Sequence, residues 1–263
     1  MTDFSEQDLA GSTFERVDLS GSTWREVRLR DVVLREVDLS GTRVRAAYLD
    51  GVRMTGVEVP DLEIHGEIGR LVVNGVDVTA HVEAELDRRM PERALMRPAT
   101  ADGFREAFDV VDRLWSATLD RARTLPQERL HERVDEEWSF VETLRHLGFA
   151  HACWVGGVVL ADPSPWHPLD LPWDEAPDVD GVPWDRDARP ALDDVLAVRA
   201  ERRATVAGVL ADLDDAGLAR PVSSATAFLS DAEGLDVAQC LRVVLHEEWE
   251  HRLYAERDLA VLA

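Results

Sequence analysis

The chain contains no lysine: all 29 of its basic side chains are arginine, and they are outnumbered by 52 acidic ones. The missing amine excludes a phosphate-binding P-loop, Schiff-base chemistry and a serine–lysine hydrolase. The net charge of −23 also argues against a nucleic acid or an anionic membrane surface as a partner, because both are bound mainly through basic side chains.

Cysteine and long apolar segments are also scarce. Cys153 and Cys240 are the only cysteines of the sequence, too few for a disulfide framework. The longest apolar stretch, residues 154–161, is far too short to span a bilayer, and the first residues have neither the basic nor the apolar region of a signal peptide. We therefore expect an acidic, cytoplasmic protein with no membrane partner.

The first quarter of the 263-residue chain repeats with a period of five. Every fifth residue from Phe4 to Ile64 is apolar, and a second lane of mostly small or β-branched side chains starts at Gln7. This period fits neither an α-helix nor a strand, but it fits a coil that turns a corner every five residues. Because one such coil cannot bury a core by itself, neighbouring coils must stack.

The segments DLSGSTW, DLSGTRV and YLDGVRM resemble the pentapeptide-repeat family. The resemblance implies a short right-handed quadrilateral β-helix over residues 1–64. Some members of the family are acidic rods that imitate DNA and bind topoisomerases. Residues 1–64 carry only thirteen acidic and eight basic side chains, so most of the negative charge lies elsewhere. We therefore favour a stabilising module, or one that docks on a protein partner, over a DNA mimic.

Residues 65–99 are predicted to form an ordered connector between two domains. The pair Asn74-Gly75 lies between short apolar runs, which predicts a β-hairpin around a tight turn. Thr79 is a candidate N-cap for a short helix that Pro91 would end or kink. The connector is therefore expected to contain one hairpin and one helix.

Residues 100–263 have a helical pattern. Amphipathic segments begin near Ala101, Ser139, Pro190 and Asp236, and Glu142 completes a capping box at the second of them. Four long amphipathic helices predict a four-helix bundle. Between the second and third helices, a loop rich in proline and tryptophan is long enough to be functional. Its tryptophans favour an ordered flap that packs on the bundle.

Helix four carries a candidate metal-binding pair. Glu247 and His251 are four residues apart and so share a face of the helix. A carboxylate and an imidazole at an apolar stripe are costly unless they bind each other or a metal, and the pair alone favours neither alternative. On helix two, the periodicity of the apolar stripe favours His151 over His146 as a further member of the site.

The segments EWSFVETLRHL on helix two and EEWEHRLYAERDL on helix four resemble the DinB-like superfamily. That superfamily includes mycothiol-dependent maleylpyruvate isomerase and bacillithiol S-transferases. The resemblance covers residues 100–263 and implies an up-down-down-up four-helix bundle, a divalent metal at one end of its cavity, and a homodimer. The whole chain is then a two-domain protein, β plus all-α.

The resemblance also implies the metal ligands. The family takes one histidine from the HL motif of helix two and two ligands a turn apart from helix four, which here match His146, Glu247 and His251. His151 and His246 match no family ligand. On helix two the resemblance therefore selects His146 in place of His151, which the periodicity favours. Two histidines and one carboxylate leave coordination positions open, as catalytic sites do.

Zinc is the expected metal and nickel the second candidate, because imidazole suits both. The resemblance implies attack by a low-molecular-weight thiol on an electrophilic small molecule, in S-transfer or isomerisation. A bound cation lowers the pKa of such a thiol and so supplies a thiolate. The arginine-only, alanine- and valine-rich composition hints at a GC-rich bacterial genome, and there mycothiol is the expected thiol. No side chain stands out as a general base.

Weaker candidates lie elsewhere on the bundle. Trp166 and Trp173 of the flap are candidate substrate-pocket residues, and Arg257 could position an anionic substrate, although a surface ion pair is the simpler interpretation. Cys153 and Cys240 each lie seven residues from a proposed ligand, but we interpret them as small core residues. The alternative to an enzyme is a non-catalytic scaffold whose repeat docks on a protein partner.

Overall fold

The computed structural model describes residues 4–45, 47–174, 176–177, 179, 182–226 and 234–263. The chain divides into two compact units, Met1–His65 and Gly66–Ala263. We call the first the repeat unit, because it contains the five-residue repeat. We call the second the helical unit, because every α-helix described below lies in it.

The backbone of the repeat unit follows the period of its sequence. Left-handed φ angles recur at every fifth described position from 6 to 56, at glycines such as Gly11 (φ 76°) and at polar residues such as Glu6 (φ 55°). Within one of these turns, the backbone N–H of Ser12 donates to the carbonyl of Leu9 at 3.1 Å. The repeat is therefore a repeat of backbone conformation as well as of side-chain type.

In the repeat unit, the apolar residues at every fifth position from Phe4 to Ile64, which we call the first apolar lane, remain half exposed. The side chains of this lane retain between 41% of their surface, at Leu9, and 64%, at Val44. The described residues of this unit form no regular strand. Because stacked coils would bury this lane, the quadrilateral β-helix stays a prediction.

The helical unit begins with a β-hairpin. Strand β1 (Val72–Val73) pairs antiparallel with strand β2 (Val76–Asp77). Asn74 and Gly75 form the turn between them with φ angles of 48° and 82°. Two consecutive left-handed residues are what a tight hairpin turn requires, and asparagine followed by glycine adopts them with least strain.

A short helix follows the hairpin. Helix α1 (Thr79–Arg89) ends two residues before Pro91, the proline predicted to end it, and Pro91 begins a 3₁₀ helix (Pro91–Met96). The prediction that Thr79 caps α1 is wrong, because Val78 is the N-cap and Thr79 is the first helical residue. The Thr79 hydroxyl instead accepts a hydrogen bond from the backbone N–H of Leu71 at 2.8 Å. It therefore ties the start of the helix to the hairpin.

Four helices of 12 to 26 residues form the core of the helical unit. They are α2 (Ala101–Ala122), α3 (Phe140–His151), α4 (Leu192–Asp212) and, after the short α5 (Asp215–Leu218), α6 (Val237–Leu262). Helix α3 continues as π-helical turns over Ala152–Val159. The predicted capping box of Ser139 and Glu142 is present at α3, and Asp236 and Gln239 form another at α6.

Helices α3 and α6 lie at the centre of the packing. Helix α6 packs against α2 and α3, and α3 also packs against α4. Glu142 is the one residue of α3 that is not buried, so this helix has no solvent-facing side. Among the described residues, no helix combines the length and the apolar character needed to cross a bilayer.

The segment between the π-helical turns and α4, residues 162–190, is called the tryptophan flap, and its described residues pack on α3. Phe149 of α3 has the ring of Trp166 at 5.7 Å, that of Trp184 at 5.8 Å and that of Trp173 at 6.0 Å between centroids. The described residues of the flap are therefore ordered around one aromatic side chain of the helix, as the tryptophan content predicts.

Candidate metal centre

The structure brings together the three residues that match the sequence motifs. His146 of α3 and Glu247 and His251 of α6 each offer a ligand atom, and these atoms lie within 4.8 Å of one another. Glu247 Oε2 is 3.5 Å from His146 Nε2 and 3.3 Å from His251 Nδ1. The four-residue spacing on α6 places two of the groups on one face, and the packing of α3 against α6 adds the third.

Backbone carbonyls determine which imidazole nitrogen is free. His146 Nδ1 lies 3.0 Å from the carbonyl oxygen of Leu171, and His251 Nδ1 lies 3.0 Å from that of Glu247. A carbonyl oxygen only accepts, so Nδ1 carries the proton in both rings. In the neutral rings Nε2 then keeps a lone pair for a metal, and such hydrogen bonds are how proteins orient metal-binding histidines.

The charge states of the cluster suit a cation. Burial, together with the neighbouring His146, lowers the pKa of His251 to about 4, so this imidazole is neutral at pH 7. Burial on its own would raise the pKa of Glu247, but the contacts with His146 and His251 hold it below its usual value. Neutral imidazole and ionised carboxylate are the forms that bind divalent metals.

An unsatisfied carboxylate oxygen lies at the centre of the cluster. Glu247 Oε2 is buried and receives no hydrogen bond from the described residues, which is costly for an ionised group. Tetrahedral ligands bonded to zinc lie about 3.3–3.5 Å from one another. The separation of 3.5 Å between Glu247 Oε2 and His146 Nε2 falls in that range. The residues present therefore fit a divalent metal.

Trp138 covers the two imidazoles. Its ring centroid lies 4.4 Å from that of His146 and 6.1 Å from that of His251. Its indole N–H donates to Asp174 Oδ1 of the flap at 3.1 Å. The sequence motifs did not single out Trp138, although it stands directly before the N-cap Ser139, a position from which apolar side chains commonly pack back on a helix.

The other two histidines of these helices lie outside the cluster. His151 points into the core, where its Nε2 lies 2.7 Å from Glu248 Oε1. His246 is half exposed and has its Nε2 2.5 Å from Glu67 Oε1. The choice of His151 that periodicity favours is therefore wrong, because this side chain has another partner and does not face Glu247.

The weaker candidates have other partners in the structure. Trp166 and Trp173 contact Phe149, and Arg257 Nε donates to Asp258 Oδ1 at 2.6 Å. The contacts of the two tryptophans are those of an ordered flap. The contact of Arg257 is the ion pair of the simpler interpretation. The substrate-pocket role of all three residues stays a prediction.

A polar cavity of about 320 Å³ lies between the flap and the start of α3. Arg133, Arg186, Arg189 and Glu142 are among its lining residues, and so is Leu171. The three clustered residues do not line it. It nevertheless shares Leu171 with the cluster, since the carbonyl of that residue orients His146.

The two cysteines are buried and unpaired, and we predict that they do not react in the native protein. Burial raises the pKa of Cys153 to about 12 and that of Cys240 to about 11, whereas the thiolate is the reactive form. Iodoacetamide at neutral pH should leave both unmodified in the folded protein and modify both after denaturation, as measured by mass spectrometry. Rapid modification of either in the folded protein would contradict this expectation.

Two family models match the chain. A model described as the DinB superfamily matches residues 111–255, a range that contains all three members of the cluster. A model of pentapeptide repeats matches residues 12–56 in eight copies, within the repeat unit. No curated protein and no solved structure matches the chain.

Proposed function

The chain belongs to the DinB superfamily, and from this we propose that its helical unit is a divalent-metal-dependent enzyme in which a low-molecular-weight thiol attacks an electrophilic small molecule, in S-transfer or isomerisation. Members of this superfamily typically bind a divalent metal. The observation that carries the proposal is the cluster of His146, Glu247 and His251 around a buried carboxylate oxygen without a hydrogen bond from the described residues.

Zinc is the proposed metal, and nickel is the second candidate. Two imidazoles and one carboxylate suit either ion, and three protein ligands leave positions for a reactant. His146 and His251 would bind through Nε2, and Glu247 through Oε2. When bound, the cation lowers the pKa of a thiol, so that thiolate is available at neutral pH.

The residues of the chain orient the site and limit the access of water. The Leu171 carbonyl holds the proton of His146 on Nδ1, and the indole of Trp138 covers both imidazoles. Burial keeps Cys153 and Cys240 protonated, so neither is suited to be the nucleophile. The proposed attacking group is therefore an external thiol such as mycothiol, as in the isomerase of the same superfamily.

Turnover with an added thiol tests the proposal. We expect zinc- or nickel-loaded protein to consume mycothiol or bacillithiol in the presence of chlorodinitrobenzene, as measured by the loss of free thiol as chloride is displaced, or to isomerise maleylpyruvate with the thiol regenerated, as measured by the conversion of maleylpyruvate. The apoprotein and His251→Ala should be inactive. His246→Ala should keep full activity, because His246 lies beside the cluster in sequence but pairs with Glu67. Loaded protein that turns over no pair would contradict the enzyme and favour the scaffold.

The finer architecture is part of the proposal. Residues 1–64 would form a right-handed quadrilateral β-helix that serves as an accessory module for a protein partner, and the helical unit would be an up-down-down-up bundle that dimerises. Left-handed backbone at every fifth described position from 6 to 56 supports the β-helix, and the central packing of α3 and α6 supports the bundle. A solved structure of the chain with unstacked coils would contradict the β-helix.

A further inference from the structure

Two histidine–glutamate pairs join helices α3 and α6. The first, His146 with Glu247, belongs to the proposed metal centre. In the second, His151 Nε2 lies 2.7 Å from Glu248 Oε1 in the core. Because the two glutamates are consecutive, their side chains leave α6 about 100° apart, one toward the metal centre and the other toward the core.

Three further helices hold Glu248 of α6. From α3, His151 donates to its Oε1. From α4, Arg199 Nη2 donates to its Oε2 at 2.5 Å. From α2, the indole N–H of Trp115 donates to its backbone carbonyl at 3.2 Å. A roll of α6 about its own axis would therefore strain or break all three contacts together.

These contacts are buried and directional. The relative exposure of His151, Arg199 and Glu248 is 3%, 4% and 1%, and a carboxylate so far from water is strongly disfavoured once it loses a partner. Charge-assisted hydrogen bonds also constrain angles, which contacts between aliphatic side chains do not. The contacts are therefore suited to fixing how far α6 is rotated.

His151 depends on Glu248 for its own orientation. Its Nδ1 atom is buried and has no hydrogen-bond partner among the described residues, so the described structure gives the imidazole one hydrogen bond, the bond to Glu248. The interaction therefore links α3 directly to α6, five residues along α3 from His146.

We propose that Glu248, held by His151 and Arg199, is a positioning residue that sets the rotation of α6 against α3 and thereby places Glu247 opposite His146. The inference rests on the proposed metal centre and deepens it. Glu248 itself does not face the metal. A small roll of α6 would move Glu247 and His251 together relative to His146, because both lie on the same helix.

A matched pair of variants at His151 tests this role, with cobalt(II) as the probe ion. Glutamine keeps an N–H donor that can reach Glu248, whereas leucine fills similar space without one. We expect the wild type and His151→Gln to bind one cobalt ion with the same visible spectrum. His151→Leu should bind it about ten- to a hundredfold more weakly, as when groups that orient ligands are removed, and with an altered spectrum.

A destabilised control separates positioning from general stability. Leu241 is fully buried on α6, so Leu241→Ala should lower the free energy of unfolding but leave the cobalt spectrum and affinity unchanged at a temperature where every variant is folded. If His151→Leu does not fold, Glu248→Gln replaces it, because it keeps the shape of the side chain and removes its charge. It should shift the spectrum in the same way.

The outcomes distinguish the two proposals. If neither His151→Leu nor Glu248→Gln alters cobalt binding, although both lower the free energy of unfolding as Leu241→Ala does, the positioning role is overturned. The metal centre would then remain intact. A wild-type protein that binds no cobalt, zinc or nickel would overturn the metal centre, and the positioning role with it.

Discussion

Replacing His146 with alanine is expected to weaken zinc binding by more than about a hundredfold, since the loss of a group that merely orients a ligand already costs ten- to a hundredfold. His251→Ala should have an effect of the same size, because each residue supplies one of the three donors in the cluster. Competition against a chromophoric chelator, with the folded state checked by circular dichroism, measures both affinities.

His246→Ala is the matched control for this prediction. His246 directly precedes Glu247 on α6, but it is half exposed and pairs with Glu67. Its replacement should leave the affinity for zinc close to that of the wild type, without the ten- to hundredfold loss that follows removal of a group that orients a ligand. If His146→Ala bound zinc as tightly as His246→Ala does, His146 would not be a ligand.

Replacing Arg145 with methionine should lower the free energy of unfolding by about 1–3 kcal/mol, because the guanidinium is buried and its removal leaves four part-buried backbone carbonyls without their donor. It donates to the carbonyls of Leu169 at 2.9 Å and Ala188 at 2.7 Å, and also to those of Asp185 and Arg186. These bonds span both ends of the tryptophan flap. Urea unfolding followed by tryptophan fluorescence measures the loss.

The same substitution should also weaken zinc binding by about tenfold. Loosening the flap displaces Leu171, whose carbonyl orients His146. Arg189→Met is the control, because Arg189 is an exposed arginine of the same flap and its replacement should change stability by less than about 0.5 kcal/mol. If Arg145→Met had the same stability and the same affinity for zinc as Arg189→Met, Arg145 would not anchor the flap.

Local signals predicted local structure well. The capping box of Ser139 and Glu142 and the turn at Asn74-Gly75 each depend on a few neighbouring residues, and both are present. Thr79 fails as a cap for a reason beyond its neighbourhood in sequence: its hydroxyl bonds to Leu71, across the hairpin. A pattern read along the chain carries no information about that competing partner.

The choice between His146 and His151 shows where periodicity stops being informative. An apolar stripe identifies the buried face of a helix only when another face meets water. On α3 every residue except Glu142 is buried, so both histidines lie on faces that pack, and the stripe cannot rank them. The family motif selects His146, and the packing of α3 on α6 brings it to Glu247 and His251.

The buried ion pair of Glu248 and Arg199 was missed, although the sequence contains a signal for it. Glu248 follows Val244 by four residues and Arg199 follows Val195 by four, so each lies in the middle of the apolar stripe of its helix. Opposite charges at such positions on two helices of one bundle predict a buried pair.

The proposed function depends on one divalent metal that the helical unit holds through His146, Glu247 and His251. Elemental mass spectrometry of the wild-type protein, purified without a histidine tag and reconstituted with zinc or nickel, tests it most directly. We expect close to one metal ion per chain, lost in His146→Ala and His251→Ala and retained in His246→Ala. A wild-type protein that holds no metal after reconstitution would contradict it.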